Sequence, residues 1–240
     1  MTAPAFKALV LTLFPEMFPG PLGHSLAGKA LESGMWELET LNIRDFSVGK
    51  HGAVDDTCYG GGTGMVMRAD VVGEAIDTAR AKLPKGRLVH FSPRGERLTQ
   101  PRVAELAQQD LILLCGRFEG IDERALEEYE PLEISLGDFV LFGGEIPAMA
   151  LMDACLRLIP GIIQDENAVT EESFGLHDVY AGLLEYPHYT RPPVWKGRSV
   201  PDVLLSGHHE QIRAWRQAQA EQVTRQRRPD MWERYKALKD

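Results

Sequence analysis

Cysteine is scarce in this chain. Its 240 residues include three, Cys58, Cys115 and Cys155, widely separated and without a CxxC pair, which argues against a disulfide framework and a cysteine-based zinc site. A reducing cytoplasm fits that usage. Long apolar runs are missing as well, because Glu145, Asp153 and Arg157 interrupt the best candidate for a membrane span. The apolar start at 8–14 is broken by Thr12, followed by Pro15 and lacks a small-residue cleavage pattern, so it reads as a first strand rather than a leader. No Gly-Lys-Ser/Thr follows the Gly-Gly-Gly-Thr-Gly at 60–64, which excludes a Walker loop there. The same run lacks the GxGxxG spacing and a clear preceding strand, so it does not meet the dinucleotide-binding fingerprint. An excess of positive charge is absent too: 26 Lys and Arg stand against 35 Asp and Glu, a net −9 that argues against indiscriminate coating of nucleic acid.

What is present begins with enough apolar residue, 44%, for a substantial core, in one large domain or a core with a smaller companion. The charge is unevenly spread. Residues 187–240 carry 11 Lys and Arg against 6 Asp and Glu, whereas residues 1–186 carry 15 against 29. A basic tail on an acidic body is a place for a phosphate backbone to land, although charge alone does not separate that from a solvated helical face.

Periodicity predicts strands over 6–13, 36–43, 87–91 and 111–115, and helices over 21–33, 69–83, 101–109 and 121–129. Between them, 44–64 is long and aperiodic, and loops of that length tend to be functional or mobile. The stretch 131–161 organises the rest: an extended entry at 132–136, a Gly-Asp break, an apolar strand at 139–142, Gly143 and Gly144, then a helix opened by Glu145 and Pro147. Glycines without Cβ let a ligand approach the backbone, and the first helical turn leaves amides unpaired. Two similar breaks lie upstream, Ser-Pro-Arg-Gly at 92–95 and Gly-Arg-Phe-Glu-Gly at 116–120. Strands alternating with helices imply an α/β fold with a mostly parallel sheet, whose ligands bind at the carboxyl ends of the strands, so all three breaks belong at one edge. Further on, 162–182 is acidic and aperiodic and reads as a linker. Residues 187–201 are rich in proline and basic side chains, and helices are expected at 208–226, with Ile212 and Trp215 inward, and at 230–238.

Several long motifs, in order, carry a resemblance. They are Phe-Pro-Glu-Met-Phe (14–18), Val-Asp-Asp (54–56), Tyr-Gly-Gly-Gly-Thr-Gly-Met (59–65), Ser-Pro-Arg-Gly, Leu-Cys-Gly-Arg-Phe-Glu-Gly-Ile-Asp-Glu-Arg (114–124), Ser-Leu-Gly-Asp-Phe-Val-Leu-Phe-Gly-Gly-Glu (135–145), Pro-His-Tyr-Thr-Arg-Pro (187–192) and Val-Pro-Asp-Val-Leu-Leu-Ser-Gly (200–207). Over nearly the whole chain they resemble the bacterial TrmD-type tRNA guanine methyltransferases. The resemblance implies a SPOUT-class fold with a trefoil knot in residues 1–161, a flexible acidic linker at 162–182 and a helical tRNA-binding domain at 183–240. It further implies S-adenosylmethionine as methyl donor, ring nitrogen 1 of guanosine 37 beside the anticodon as acceptor, and a homodimer whose active sites draw on both subunits.

By the same similarity the cofactor pocket comprises Phe91, Ser92, Pro93, Gly116, Ser135, Leu136, Gly137, Phe139, Leu141, Gly143, Gly144 and Pro147. Phe118 and Phe139 stand where relatives often carry tyrosine. Guanine nitrogen 1 is protonated at neutral pH, so its attack on a methyl group needs a base and a cation to hold the developing charge. Arg157 matches the family's arginine for the cation, a position that would otherwise read as a helix C-terminal charge. Relatives carry Thr-Glu-Asp-Ser-Phe where this chain has Thr-Glu-Glu-Ser-Phe at 170–174, which puts Glu172 in the place of the base. Glu171 and Asp178 remain alternatives, and an acidic linker is also simply solvated. Glu119 matches a family carboxylate near the methionine end and is a candidate link to the family's magnesium dependence, but a solitary carboxylate makes a poor cage, so no protein-held metal site is expected. Two other classes compete: a dinucleotide oxidoreductase, which lacks its fingerprint near Phe14, and a non-catalytic RNA-binding module, which would need neither the strand-end glycines nor Arg157.

Overall fold

The computed structural model describes residues 4–47, 52–164, 172–175 and 181–239. Glu171 and Asp178 lie outside them. The chain divides into two compact units, Met1–Gln164 and Asp165–Asp240.

The first unit is built on five strands, β1 (Phe6–Thr12), β2 (Trp36–Asn42), β5 (Arg87–Arg97), β6 (Leu111–Leu114) and β7 (Leu132–Ser135), in the order β2-β1-β6-β5-β7 with every pairing parallel. Strand periodicity sends successive side chains to opposite faces. Phe6, Ala8 and Val10 of β1 join Leu111 and Leu113 of β6 in one core cluster, while Leu9, Leu11, Ile112 and Leu114 join the other. Helices α1 (Ser25–Glu32), α3 (Gln100–Leu106) and α5 (Glu145–Leu156) supply the first cluster; α2 (Ala69–Lys82) and α4 (Glu123–Tyr129) supply the second. A sheet covered on both faces needs near-continuous apolar strands, which is how Leu-Ile-Leu-Leu in β6 reads.

Several expectations are corrected. The apolar run 139–142 is no strand: β7 ends at Ser135, no described strand pairs with the run, and Phe139, Val140, Leu141 and Phe142 are all exposed. Strand β5 does not stop at Phe91. Both Phe91 and Glu96 align with Ile134, so residues 92–95 loop out of a strand that then resumes. That return needs Gly95, because a Cβ there would stand 2.5 Å from the backbone between Glu133 and Ile134. The helix expected over 21–33 is a 3-10 turn (Gly20–Gly23) followed by α1, and the aperiodic 44–64 contains part of a hairpin, β3 (Asp55–Thr57) with β4 (Met65–Met67), carrying the glycine run at its tip.

The second unit contains α6 (Asp202–Leu205), α7 (His209–Arg227) and α8 (Pro229–Lys239) and a short hairpin, β8 (Val194–Trp195) and β9 (Arg198–Ser199). Its core is Leu183, Tyr186, Ala220 and Tyr235, with Trp232 packed against it. The inward face of α7 is thus marked by Ala220 and Thr224 rather than by Ile212 and Trp215, which are only half-buried. Thr224 is buried because its hydroxyl is satisfied twice, donating to the Ala220 carbonyl at 2.7 Å and accepting from the Leu184 amide at 2.8 Å.

Candidate active site

The stretch of β5 where residues 92–95 loop out and the carboxyl ends of β6 and β7 open into one cavity of about 450 Å³. Its walls are the loop-out of β5, the β6–α4 loop, the irregular segment after β7 and the first turn of α5. All twelve residues expected to hold a cofactor line it: Phe91, Ser92, Pro93, Gly116, Ser135, Leu136, Gly137, Phe139, Leu141, Gly143, Gly144 and Pro147. Glu119 lines it as well, its side chain lying against Gly64 at the tip of the β3–β4 hairpin. Two backbone bonds tie that hairpin to the loop, Glu119 amide to Met65 carbonyl and Met67 amide to Gly120 carbonyl, both 2.9 Å.

A buried charge network, which sequence reasoning missed, holds two of the walls together. Glu145 opens α5 and is 1% exposed; its Oε1 accepts from the Thr12 hydroxyl at 2.8 Å and its Oε2 lies 2.9 Å from Arg117 Nε. The Arg117 guanidinium also stacks on Phe14, 4.5 Å from the ring centroid. Removing one partner of such a pair leaves an uncompensated buried charge, so the network pins the loop to the helix start. The signal was available: a lone carboxylate in the first turn of an otherwise apolar helix favours the helix dipole and calls for a partner.

Glycine geometry separates two roles. At Gly144 a Cβ would stand 2.7 Å from Cys115 Cα, and the Gly144 amide donates to the Gly116 carbonyl at 3.0 Å. Gly144 is therefore required by the close approach of α5 to β6, not only by a ligand. Phe118, by contrast, takes a left-handed φ of 61° with its ring exposed on the cavity wall, a local strain of the kind found at functional sites.

The remaining polar lining is His90, Arg94 and Glu123. His90 is buried, its Nδ1 3.3 Å from the Leu114 carbonyl oxygen, and burial lowers its pKa, so it is neutral near pH 7. Arg94 is committed to Glu123 through two hydrogen bonds of 3.1 Å. Burial also raises the thiol pKa of Cys115 and lifts that of Cys155 to about 12, so neither is a nucleophile. Among the described residues no three His, Cys, Asp or Glu converge on a metal position.

Of the two other expected catalytic residues, Arg157 is remote from the cavity within the first unit. Arg157 is exposed at the far end of α5, twelve residues from its start; at about 1.5 Å per residue that is ~18 Å from the cavity end. Glu172 belongs to the second unit.

A family model described as tRNA (Guanine-1)-methyltransferase TrmD matches residues 6–234. A protein of Ruegeria sp. (strain TM1040) named tRNA (guanine-N(1)-)-methyltransferase is 55% identical over 239 residues, covering 99% of this chain and 96% of its own. One of the same name from Rhodopseudomonas palustris (strain ATCC BAA-98 / CGA009) is 57% identical over 228 residues, 95% of this chain and 90% of its own.

Proposed function

The chain belongs to the tRNA (guanine-1)-methyltransferase TrmD family, and from that premise we propose that it methylates ring nitrogen 1 of guanosine 37, beside the anticodon of tRNA, with S-adenosylmethionine as donor. The observation that carries the reading is the convergence of three glycine-bearing breaks on one cavity. Its volume lies within the range of about 300 to 1,000 Å³ usual for small-molecule sites. The lining also fits a donor without phosphate: both arginines in it, Arg94 and Arg117, are already paired with carboxylates. That counts against the dinucleotide alternative.

When bound, S-adenosylmethionine supplies an electrophilic methyl group on a sulfonium. Phe91, Pro93, Leu136, Phe139 and Leu141 would give its apolar walls, and the backbone at Gly116, Gly137 and Gly143 its close polar contacts. Glu172 takes the proton from ring nitrogen 1, and Arg157 stabilises the negative charge that develops on the guanine. Both serve the cavity of the other subunit of a homodimer, since one chain alone leaves Arg157 remote. The exposed apolar segment Phe139, Val140, Leu141, Phe142 with Ile146 supports a covered, dimeric state. The trefoil knot, the cytoplasmic location and the grip of the helical unit on the anticodon arm belong to the same proposal. Magnesium is assigned no protein-held cage.

Incubating an unmodified tRNA transcript with isotope-labelled S-adenosylmethionine and identifying the labelled nucleoside tests the reading. Label on ring nitrogen 1 of guanosine 37 is expected. Label on another base, or none, overturns it.

A further inference from the structure

The second unit carries an aromatic side chain that its core does not use. Trp195 closes β8, and the β8–β9 hairpin turns through Lys196 (φ 49°) and Gly197 (φ 75°), positive at both central positions as a tight two-residue hairpin requires. The Val200 amide bonds to the Pro193 carbonyl at 2.9 Å, extending the ladder by one step. Every residue from 191 to 199 is exposed, with Val194 at 55% and Trp195 at 57%. A large indole in water is costly to maintain, and the helical core of Leu183, Tyr186, Ala220 and Tyr235 closes without it.

The surroundings of the indole say what covers it. Lys196 holds its ammonium 4.8 Å from the Trp195 ring centroid, and Arg198 pairs directly across from Trp195. Arg191, Lys196 and Arg198 make no ion pair with any described residue, unlike the arginines of the cavity. No Asp or Glu occurs from 186 to 201. One flat aromatic face beside two such cations, with the third four residues earlier in the chain, is the chemistry of single-stranded nucleic acid binding, in which a base stacks on the ring and phosphates meet the charges. A protein partner of ordinary kind would ask for a wider apolar patch with acids on its rim.

We infer that Trp195 is a stacking platform for an unpaired nucleotide of the RNA substrate, with Lys196, Arg198 and Arg191 on the flanking phosphates. The inference rests on the tRNA reading and adds a binding site to it.

Fluorescence anisotropy with an unmodified tRNA transcript, titrated at several salt concentrations, tests it on the full-length protein. Trp195→Thr keeps a strand-forming residue while removing the ring. It is expected to weaken binding by about 5- to 100-fold with an unchanged salt slope, as loss of one base stack does. Trp195→Phe should recover most of the affinity. Lys196→Gln with Arg198→Gln should instead flatten the salt slope, by about 0.7 for each phosphate no longer neutralised. Wild-type affinity in Trp195→Thr overturns the stacking site, as does a changed oligomeric mass by sedimentation, which would make the hairpin an interface between protein chains. Failure of the wild type to bind tRNA sinks the methyltransferase reading itself.

Discussion

Glutamate at 172 carries one methylene more than aspartate would between backbone and carboxylate. If it is the base, Glu172→Gln keeps size and hydrogen-bonding reach but loses proton acceptance, so single-turnover methylation should fall by about 100-fold to 10,000-fold. Affinity for tRNA and donor should barely change. Normal turnover in Glu172→Gln with a crippled Asp178→Asn would move the base into the neighbouring acidic stretch. His90 makes a different prediction, on stability. Its folded pKa is depressed by burial, so between that value and the unfolded value of about 6.5 the unfolded chain holds the extra proton and stability falls as pH drops. Below the folded pKa the effect levels off. Glu133, Arg94 and Glu123 also act on the ring, the two glutamates opposing the shift and the arginine adding to it. Urea midpoints at about pH 7.5 and about pH 5 should therefore converge more closely in His90→Leu than in the wild type. An equal gap in both would show that His90 contributes nothing to acid sensitivity.

At the scale of elements, the start of α5 is where packing and ligand geometry meet. Gly144→Val would drive its side chain into the backbone of Cys115, so the variant should lose about 1 to 3 kcal/mol or more of stability as well as donor binding. A thermal melt decides: an unshifted midpoint with lost binding would make Gly144 a ligand contact only. The segment 139–142 teaches the converse. Four apolar residues in a row read as a buried strand from composition, but a strand also needs a neighbour to take its backbone hydrogen bonds, and no described strand pairs with this run.

For the whole molecule, the two apolar clusters of the first unit draw only on residues from 6 to 162. Truncation after Gln164 should therefore leave a cooperatively folding protein by circular dichroism, able to bind S-adenosylmethionine in calorimetry but not tRNA in a gel shift. Retained tRNA affinity would refute the assignment of RNA binding to the basic end. A truncated chain that fails to fold would show that the second unit contributes to the core.

The sequence alone determined the alternating strands and helices, the order of the glycine breaks and their shared edge, because side-chain periodicity and glycine position are local properties. Chain order with the parallel rule then forced three breaks onto one side of the sheet. It did not reveal that residues 92–95 loop out of a strand that resumes, nor that Gly144 answers to Cys115. It also did not reveal that Arg117, Glu145 and Thr12 close a buried network across 133 positions. Those are matters of who stands opposite whom. Pair partners distant in the chain are chosen by register and helix placement, so a charge such as Glu145 is legible as a residue but its counter-ion is decided only when β1, β6 and α5 come together.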